Sequence, residues 1–269
     1  MIPLAIPNLG DKEQNYLAQA IGDGWVGPDG PFVKQFEKLV AKASGRRWAV
    51  ATITGTAAIH AAATALDFRG CLVEVPEHSF PAARNVFLQI ACRVVTVGGG
   101  ICHDRQLYVD MACLGAARQG EARSGSAGQD RAFFDCAPAI GEIAGDAHLQ
   151  CFSFAANKIV TCGQGGAVVG DNEALEQQIR VLIRQGYGLQ GQFNYRMANV
   201  NAALGCAQME RLDELKAAKR RIWDRYDAVL PMKERGPSRW MATLDVDIGK
   251  RILLAEELSA QEIETLTQA

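Results

Sequence analysis

The sequence predicts an α/β protein built on a parallel sheet. Across the first two-thirds of the chain, short apolar runs rich in β-branched and aromatic residues alternate with stretches of helical spacing, the pattern that a strand–helix–strand sheet requires. The 269 residues suffice for one large domain, or for one large and one small domain. A composition of 48% hydrophobic and 22% charged residues is that of an ordinary globular chain.

RWAVATI (47–53) reads as the first strand of this alternation and the alanine-rich stretch 56–66 as the helix that follows it. CLVEVP (71–76) is the next strand, then a helix over 81–90, then CRVVTV (92–97). QLYVD (106–110), RAFFD (131–135), QCFSF (150–154) and GAVVG (166–170) are the remaining strands, with helices over 172–184 and, as one long element, 197–230. Residues 98–100 and 115–130 are rich in glycine, serine or charge without a period and read as surface loops. Beyond Pro231 the pattern thins to one strand-like run, RWMATLDVD, and a short helix near 260–267.

A formal net charge of −2 gives no basic footprint for nucleic acid or anionic membrane, so a small molecule is the expected partner. Charged or polar residues interrupt every apolar stretch well short of the ~20 residues that span a bilayer. The opening MIPLAIPNLGDKEQ has two prolines and no basic stretch, so no secretory signal is read there and a cytoplasmic location is expected. Eight cysteines form no C-x-x-C pair and no metal-like spacing with histidine; they read as small buried residues.

Three places carry possible chemistry. In TGTAAIH (54–60) a strand turns directly into a helix, which gathers backbone N–H groups, the positive end of the helix dipole and a hydroxyl. That outlines a phosphate site, and equally a plain N-cap. Asp135 ends the apolar run RAFF, where open α/β sheets place their ligands, or else simply caps a turn. Lys158, in CFSFAANKIVTCGQGG (151–166), lies just beyond a strand containing Ser153 and ahead of a glycine-rich turn. A lysine at low dielectric has a depressed pKa and can act as an amine nucleophile and proton shuttle. Convergence of a phosphate site, an acid and such a lysine at one sheet edge points to pyridoxal 5'-phosphate (PLP).

Six blocks in order strengthen this reading: IPLAIPNLG…GWVGPDGPFVKQFEK, TGTAAIHAAATAL with VPEHSFPAARNVF, FFDCAPAIG, GDAHLQCFSFAANK, GQGGAVV and FNYRMANVNAALGCAQMERLD. They resemble the DegT/DnrJ/EryC1/StrS sugar aminotransferases over about residues 2–226. The resemblance implies a fold-type I PLP-dependent transferase: a mostly parallel central sheet with helices on both faces, residues 1–230 as the PLP-binding domain with 1–30 near the active site, and 231–269 as an abbreviated small domain. It implies that Lys158 is the Schiff-base lysine and Asp135 the partner of the pyridinium nitrogen. Gly55, Thr56 and Ser153 would hold the phosphate, Phe80 would stack on the ring and Ala137 would line its other face. Asn194 would reach the phosphate of the neighbouring subunit, so a homodimer is expected. Trp25 would lie near the substrate, with His78 and Tyr187 as further lining residues. The implied reaction moves an amino group from glutamate to a keto sugar, a nucleotide-linked 4-keto-6-deoxyhexose, for a surface polysaccharide such as O-antigen or for another amino sugar.

The sequence also departs from the family. Pro138 stands where the family commonly has glutamine, 98–105 compress a longer segment, and Ala112, Cys113, Leu114 and Gly115 replace its HLYG-like block. Two rival readings follow: a non-catalytic PLP-binding homologue that pairs with a longer partner, and a sugar dehydratase. The dehydratase reading is disfavoured, because dehydratase relatives carry histidine where this chain has Lys158.

Overall fold

The computed structural model describes residues 6–76, 79–97, 106–109, 132–141, 148–184 and 192–228. The expected loops at 98–100 and 115–130, the HLYG-like block, His78, Tyr187 and everything beyond residue 228 lie outside the described residues.

The strands are β1 (Trp48–Thr52), β2 (Leu72–Pro76), β3 (Arg93–Val97), β4 (Gln106–Val109), β5 (Ala132–Asp135), β6 (Leu149–Ser153) and β7 (Gly166–Gly170). The helices are α1 (Asp11–Gly22), α2 (Pro31–Ser44), α3 (Gly55–Ala65), α4 (Pro81–Gln89), α5 (Glu173–Ile183), α6 (Asn199–Met209) and α7 (Leu212–Asp227). Five strands pair in the order β1-β7-β6-β5-β4, and β2 and β3 pair separately and in parallel.

The five-stranded sheet is mixed, where the alternation predicted mostly parallel. β5 and β6 run in parallel, whereas β7 is antiparallel to both β1 and β6, and β4 is antiparallel to β5. For β7 the reason is local: no helix separates it from β6, and a chain that returns without a crossover must run antiparallel.

Both sheet faces are covered, which is why β1 and β7 are buried at every residue. Ala49, Ala51, Phe152, Ala167 and Val169 join Phe36 and Val40 of α2 and Ala202, Ala203 and Cys206 of α6 in one core. Val50, Phe133, Leu149, Cys151 and Val168 join α3, α4 and α5 in the other. Side chains along a strand alternate between the two cores, as the pleat demands.

Two helices were not read from the sequence. α2 has Pro31 at its first turn, Phe32, Phe36 and Val40 buried at four-residue spacing, and Gly45 closing it at φ 66°. α1 shows little apolar stripe and is held instead by a buried carboxylate: Glu13, 1% exposed, accepts from Gln208 (2.6 Å) and Arg211 (2.8 Å). The predicted long helix 197–230 is two helices, because the chain turns at Glu210 and Arg211 and thereby brings the Arg211 guanidinium onto Glu13 and Asn8.

β1 is an edge strand whose outer backbone groups are capped by side chains. The Ala51 N–H donates to Glu37 Oε1 (2.9 Å), and the Ala49 carbonyl accepts from Arg180 Nη2 (3.2 Å). Arg180 also grips Glu37 with both terminal nitrogens, at 3.2 and 3.0 Å, which ties α5 to α2 across the strand.

Candidate active site

Sheet register brings the predicted groups to one edge. Thr52 of β1 and Ser153 of β6 both pair with Gly166, so the three lie abreast, and Asp135 of β5 pairs with Cys151, two residues before Ser153. The carboxyl ends of β1, β5 and β6 therefore share this edge, where ligands of open α/β sheets bind.

The turn from β1 into α3 is built by Thr54, whose Oγ1 accepts from the Ala57 amide (3.0 Å) while its carbonyl accepts from the Ala58 amide (3.1 Å). The plain capping role read from TGTAAIH is thus realised, and it leaves the amides of Gly55 and Thr56 at the positive end of the helix. Thr56 is exposed. Gly55 presses on Ser153 so closely that a Cβ there would lie 2.8 Å from Ser153 Cβ and 3.1 Å from its Oγ. The result is a small cradle of main-chain amides and a hydroxyl, which only glycine at 55 permits, and it fits a phosphate group.

Gly166 takes part in a way the sequence did not show. The sequence shows only a glycine-rich turn there, but a Cβ on Gly166 would stand 2.3 Å from the Thr54 carbonyl oxygen. Gly166 is therefore the seat on which the α3 turn rests, and Gly163, at φ 72°, makes the turn.

Asp135 is 7% exposed, and its Oδ1 accepts from the Ala137 amide (3.0 Å). It caps the turn after β5, and its charge is felt by Lys158. Lys158 stands in the β6–β7 connection, which is pinched shut by Phe154 N–H to the Gly165 carbonyl and Cys162 N–H to the Phe154 carbonyl, both 2.9 Å. Gly205 of α6 lets this connection seat against the helix, since a Cβ there would meet Cys162 Sγ at 2.5 Å. Burial pushes the Lys158 ammonium down from its ordinary 10.5 to about 8, and the Asp135 charge opposes part of that shift.

Phe80, capping α4, is 70% exposed, a flat apolar surface available for stacking. Ala137 is half-buried and Asn194 exposed. Trp25, 51% exposed, lies in a loop clamped from within by Asn199, which sequence reasoning also missed because nothing in its pattern marks it. The buried Asn199 accepts from the Phe32 amide (2.9 Å) and donates to the Trp25 carbonyl (2.7 Å). The described cysteines, 71, 92, 136, 151, 162 and 206, are buried, in keeping with their reading as small buried residues. No group of metal-ligating residues exists among the described residues, and no helix among them is long and apolar enough to cross a membrane.

The phosphate-sized cradle, a buried acid and a lysine with a lowered pKa fit PLP, and comparisons with known proteins agree. The model of the DegT/DnrJ/EryC1/StrS aminotransferase family matches residues 7–103 and 131–245. The GDP-perosamine synthase of Vibrio cholerae is 30% identical over 290 aligned residues, covering 92% of this chain and 78% of that one. The structure of DesI with its TDP-sugar product superposes with a TM-score of 0.76 at 25% identity, over 96% of this chain and 76% of DesI. Spr1654 from Streptococcus pneumoniae in its PLP form shares the fold, with a TM-score of 0.78 at 20% identity over 97% of this chain and 82% of that one.

Proposed function

The chain belongs to the DegT/DnrJ/EryC1/StrS aminotransferase family and is a PLP-dependent sugar aminotransferase; from that premise we propose how its residues divide the work. The observation that carries the proposal is the meeting of Asp135, Ser153 and the Lys158 connection at one sheet edge, with the lysine lowered to about 8.

Bound there, PLP supplies an electron sink for the bond broken at the amino donor's α-carbon. Lys158 is the residue that would hold the cofactor, and its amine, lowered by burial to a pKa of about 8, would take and return the proton at that carbon. Asp135, anchored by its bond to the Ala137 amide, sets a negative charge against the pyridine nitrogen. The amides of Gly55 and Thr56 and the Ser153 hydroxyl receive the phosphate at the positive end of α3. Phe80 and Ala137 flank the ring, and Asn194 serves the site of a second subunit in a homodimer.

The donor is glutamate, and the acceptor is a nucleotide-linked 4-keto-6-deoxyhexose, the class suggested by the relative named GDP-perosamine synthase and by the TDP-sugar product of DesI. Trp25 borders that sugar. Residues 1–230 form the cofactor-binding domain, and the enzyme works in the cytoplasm.

The visible spectrum of the purified protein tests this reading. PLP-loaded protein shows an absorption band that Lys158→Ala abolishes, and glutamate bleaches the band as the amino group is handed over. A band that Lys158→Ala leaves unchanged removes the lysine assignment; a band that glutamate leaves unchanged removes glutamate as the donor.

A further inference from the structure

Residues 193–196 lie against the phosphate turn of their own subunit. The Ile53 amide donates to the Tyr195 carbonyl (2.7 Å), and the amides of Phe193 and Tyr195 donate to the Leu182 and Ile183 carbonyls at the end of α5 (2.8 and 3.1 Å). An isolated bridge joins Arg196 to Thr52. The Phe193 and Tyr195 rings stack at 4.9 Å and 9°, and both pack on His60, with centroids at 4.7 and 5.8 Å. The polar contact in this cluster is specific: His60 Nδ1 and the Tyr195 hydroxyl are 2.9 Å apart. His60 is 9% exposed, and burial lowers its pKa, so at neutral pH the ring is uncharged and shares one hydrogen with the tyrosine.

His60 stands one helical turn beyond Thr56, on the same face of α3. Since Phe193 and Tyr195 both face that helix, the residue between them, Asn194, is turned outward and exposed. One cluster thus joins the helix that receives the phosphate in this subunit to the segment that offers a residue outward.

We propose that His60 and Tyr195 are positioning residues: their hydrogen bond fixes the angle at which Asn194 is presented to the neighbouring subunit's phosphate site. The proposal rests on the reading of Asn194 given above, and the test separates the two. Pyridoxamine 5'-phosphate, which cannot bond to Lys158, is titrated into the cofactor-free full chain, with melting temperature recorded for every variant.

Tyr195→Phe removes the hydroxyl and keeps the stacked ring. It is expected to weaken binding about five-fold, the net worth of the one hydrogen bond that a misaligned Asn194 loses, and to lower the melting temperature by only roughly 2–4 °C for the lost His60–Tyr195 bond. The same change in an Asn194→Ala background is expected to have no further effect, and pyridoxamine lacking the phosphate is expected to bind all variants alike. His60→Asn, which keeps a polar atom near Nδ1, is expected to retain most of the affinity that His60→Leu loses. If Asn194→Ala weakens binding and Tyr195→Phe does not, the positioning role is wrong while the Asn194 reading stands. If Asn194→Ala has no effect, both fall. A Tyr195→Phe loss that persists in the double variant means that the pair acts through α3 alone and overturns the proposal.

Discussion

Replacing Gly166 with alanine tests the seat beneath the phosphate turn. The added Cβ meets the Thr54 carbonyl oxygen at 2.3 Å, its carbon at 2.4 Å and the Gly55 nitrogen at 2.7 Å, where ordinary contact begins at 3.4 Å. All three atoms are backbone, so no side chain can swing aside, and the turn must retreat by about 1 Å in an interior that packs like a crystal. Overpacking of this kind costs up to about 3 kcal/mol. A retreat of that size also breaks the Thr54 cap on Ala57, worth about 1 kcal/mol. For a chain of this size, ~4 kcal/mol lowers the melting temperature by roughly 8–16 °C. Calorimetric melting and pyridoxamine phosphate titration measure the two consequences together. Gly163→Ala is the control, because at φ 72° it strains the backbone by about 1–2 kcal/mol yet meets only Asn201 Nδ2, at 3.8 Å. It is expected to lower stability modestly and to leave phosphate affinity intact. If Gly166→Ala melts within about 2 °C of wild type and binds the cofactor as tightly, the α3 turn does not rest on β7 and the cradle is misplaced.

Three further outcomes follow from the site. The rate at which PLP is taken up by the cofactor-free protein should rise with pH and level off above about 8, as Lys158 passes from ammonium to neutral amine; an inflection near the ordinary 10.5 shows that the lysine is not desolvated. Asp135→Asn keeps a group able to accept from the Ala137 amide but loses the charge, so cofactor still binds while turnover falls by about 10²-fold. Because the Asp135 charge raises the Lys158 pKa, the uptake inflection should also move below 8 in that variant, and an upward move contradicts the assignment. Asn199→Ala leaves the buried Phe32 amide unpaired at a cost of about 1–3 kcal/mol, and frees the Trp25 loop, so the melting temperature falls and KM for the sugar rises. An unchanged KM places Trp25 away from the substrate.

The strands and the three chemical groups were legible because each leaves a local mark. RAFFD shows an acid closing an apolar run, and CFSFAANK shows a lysine where a solvated face is not expected. α2 also carried its marks, a proline start, a four-residue apolar spacing and a closing glycine. α1 did not, since the residue that anchors it is Glu13, and a buried carboxylate is recognised only once Arg211 and Gln208 are seen beside it. The turn at Glu210 and Arg211 contains neither glycine nor proline, so helical spacing reads straight through it. Strand direction at β7 and the seating role of Gly166 belong to pairing across the sheet, which no single segment encodes. The same holds for the His60–Tyr195 contact, made between residues 135 apart in the chain.

Every role proposed for the site depends on Lys158 being the residue to which PLP is bound. Borohydride reduction of the PLP-loaded full chain, followed by proteolysis and mass spectrometry, fixes the cofactor to whichever lysine holds it. One labelled peptide is expected, containing Lys158, with no label in Lys158→Ala. A label on another lysine, or none in the wild-type chain, contradicts it.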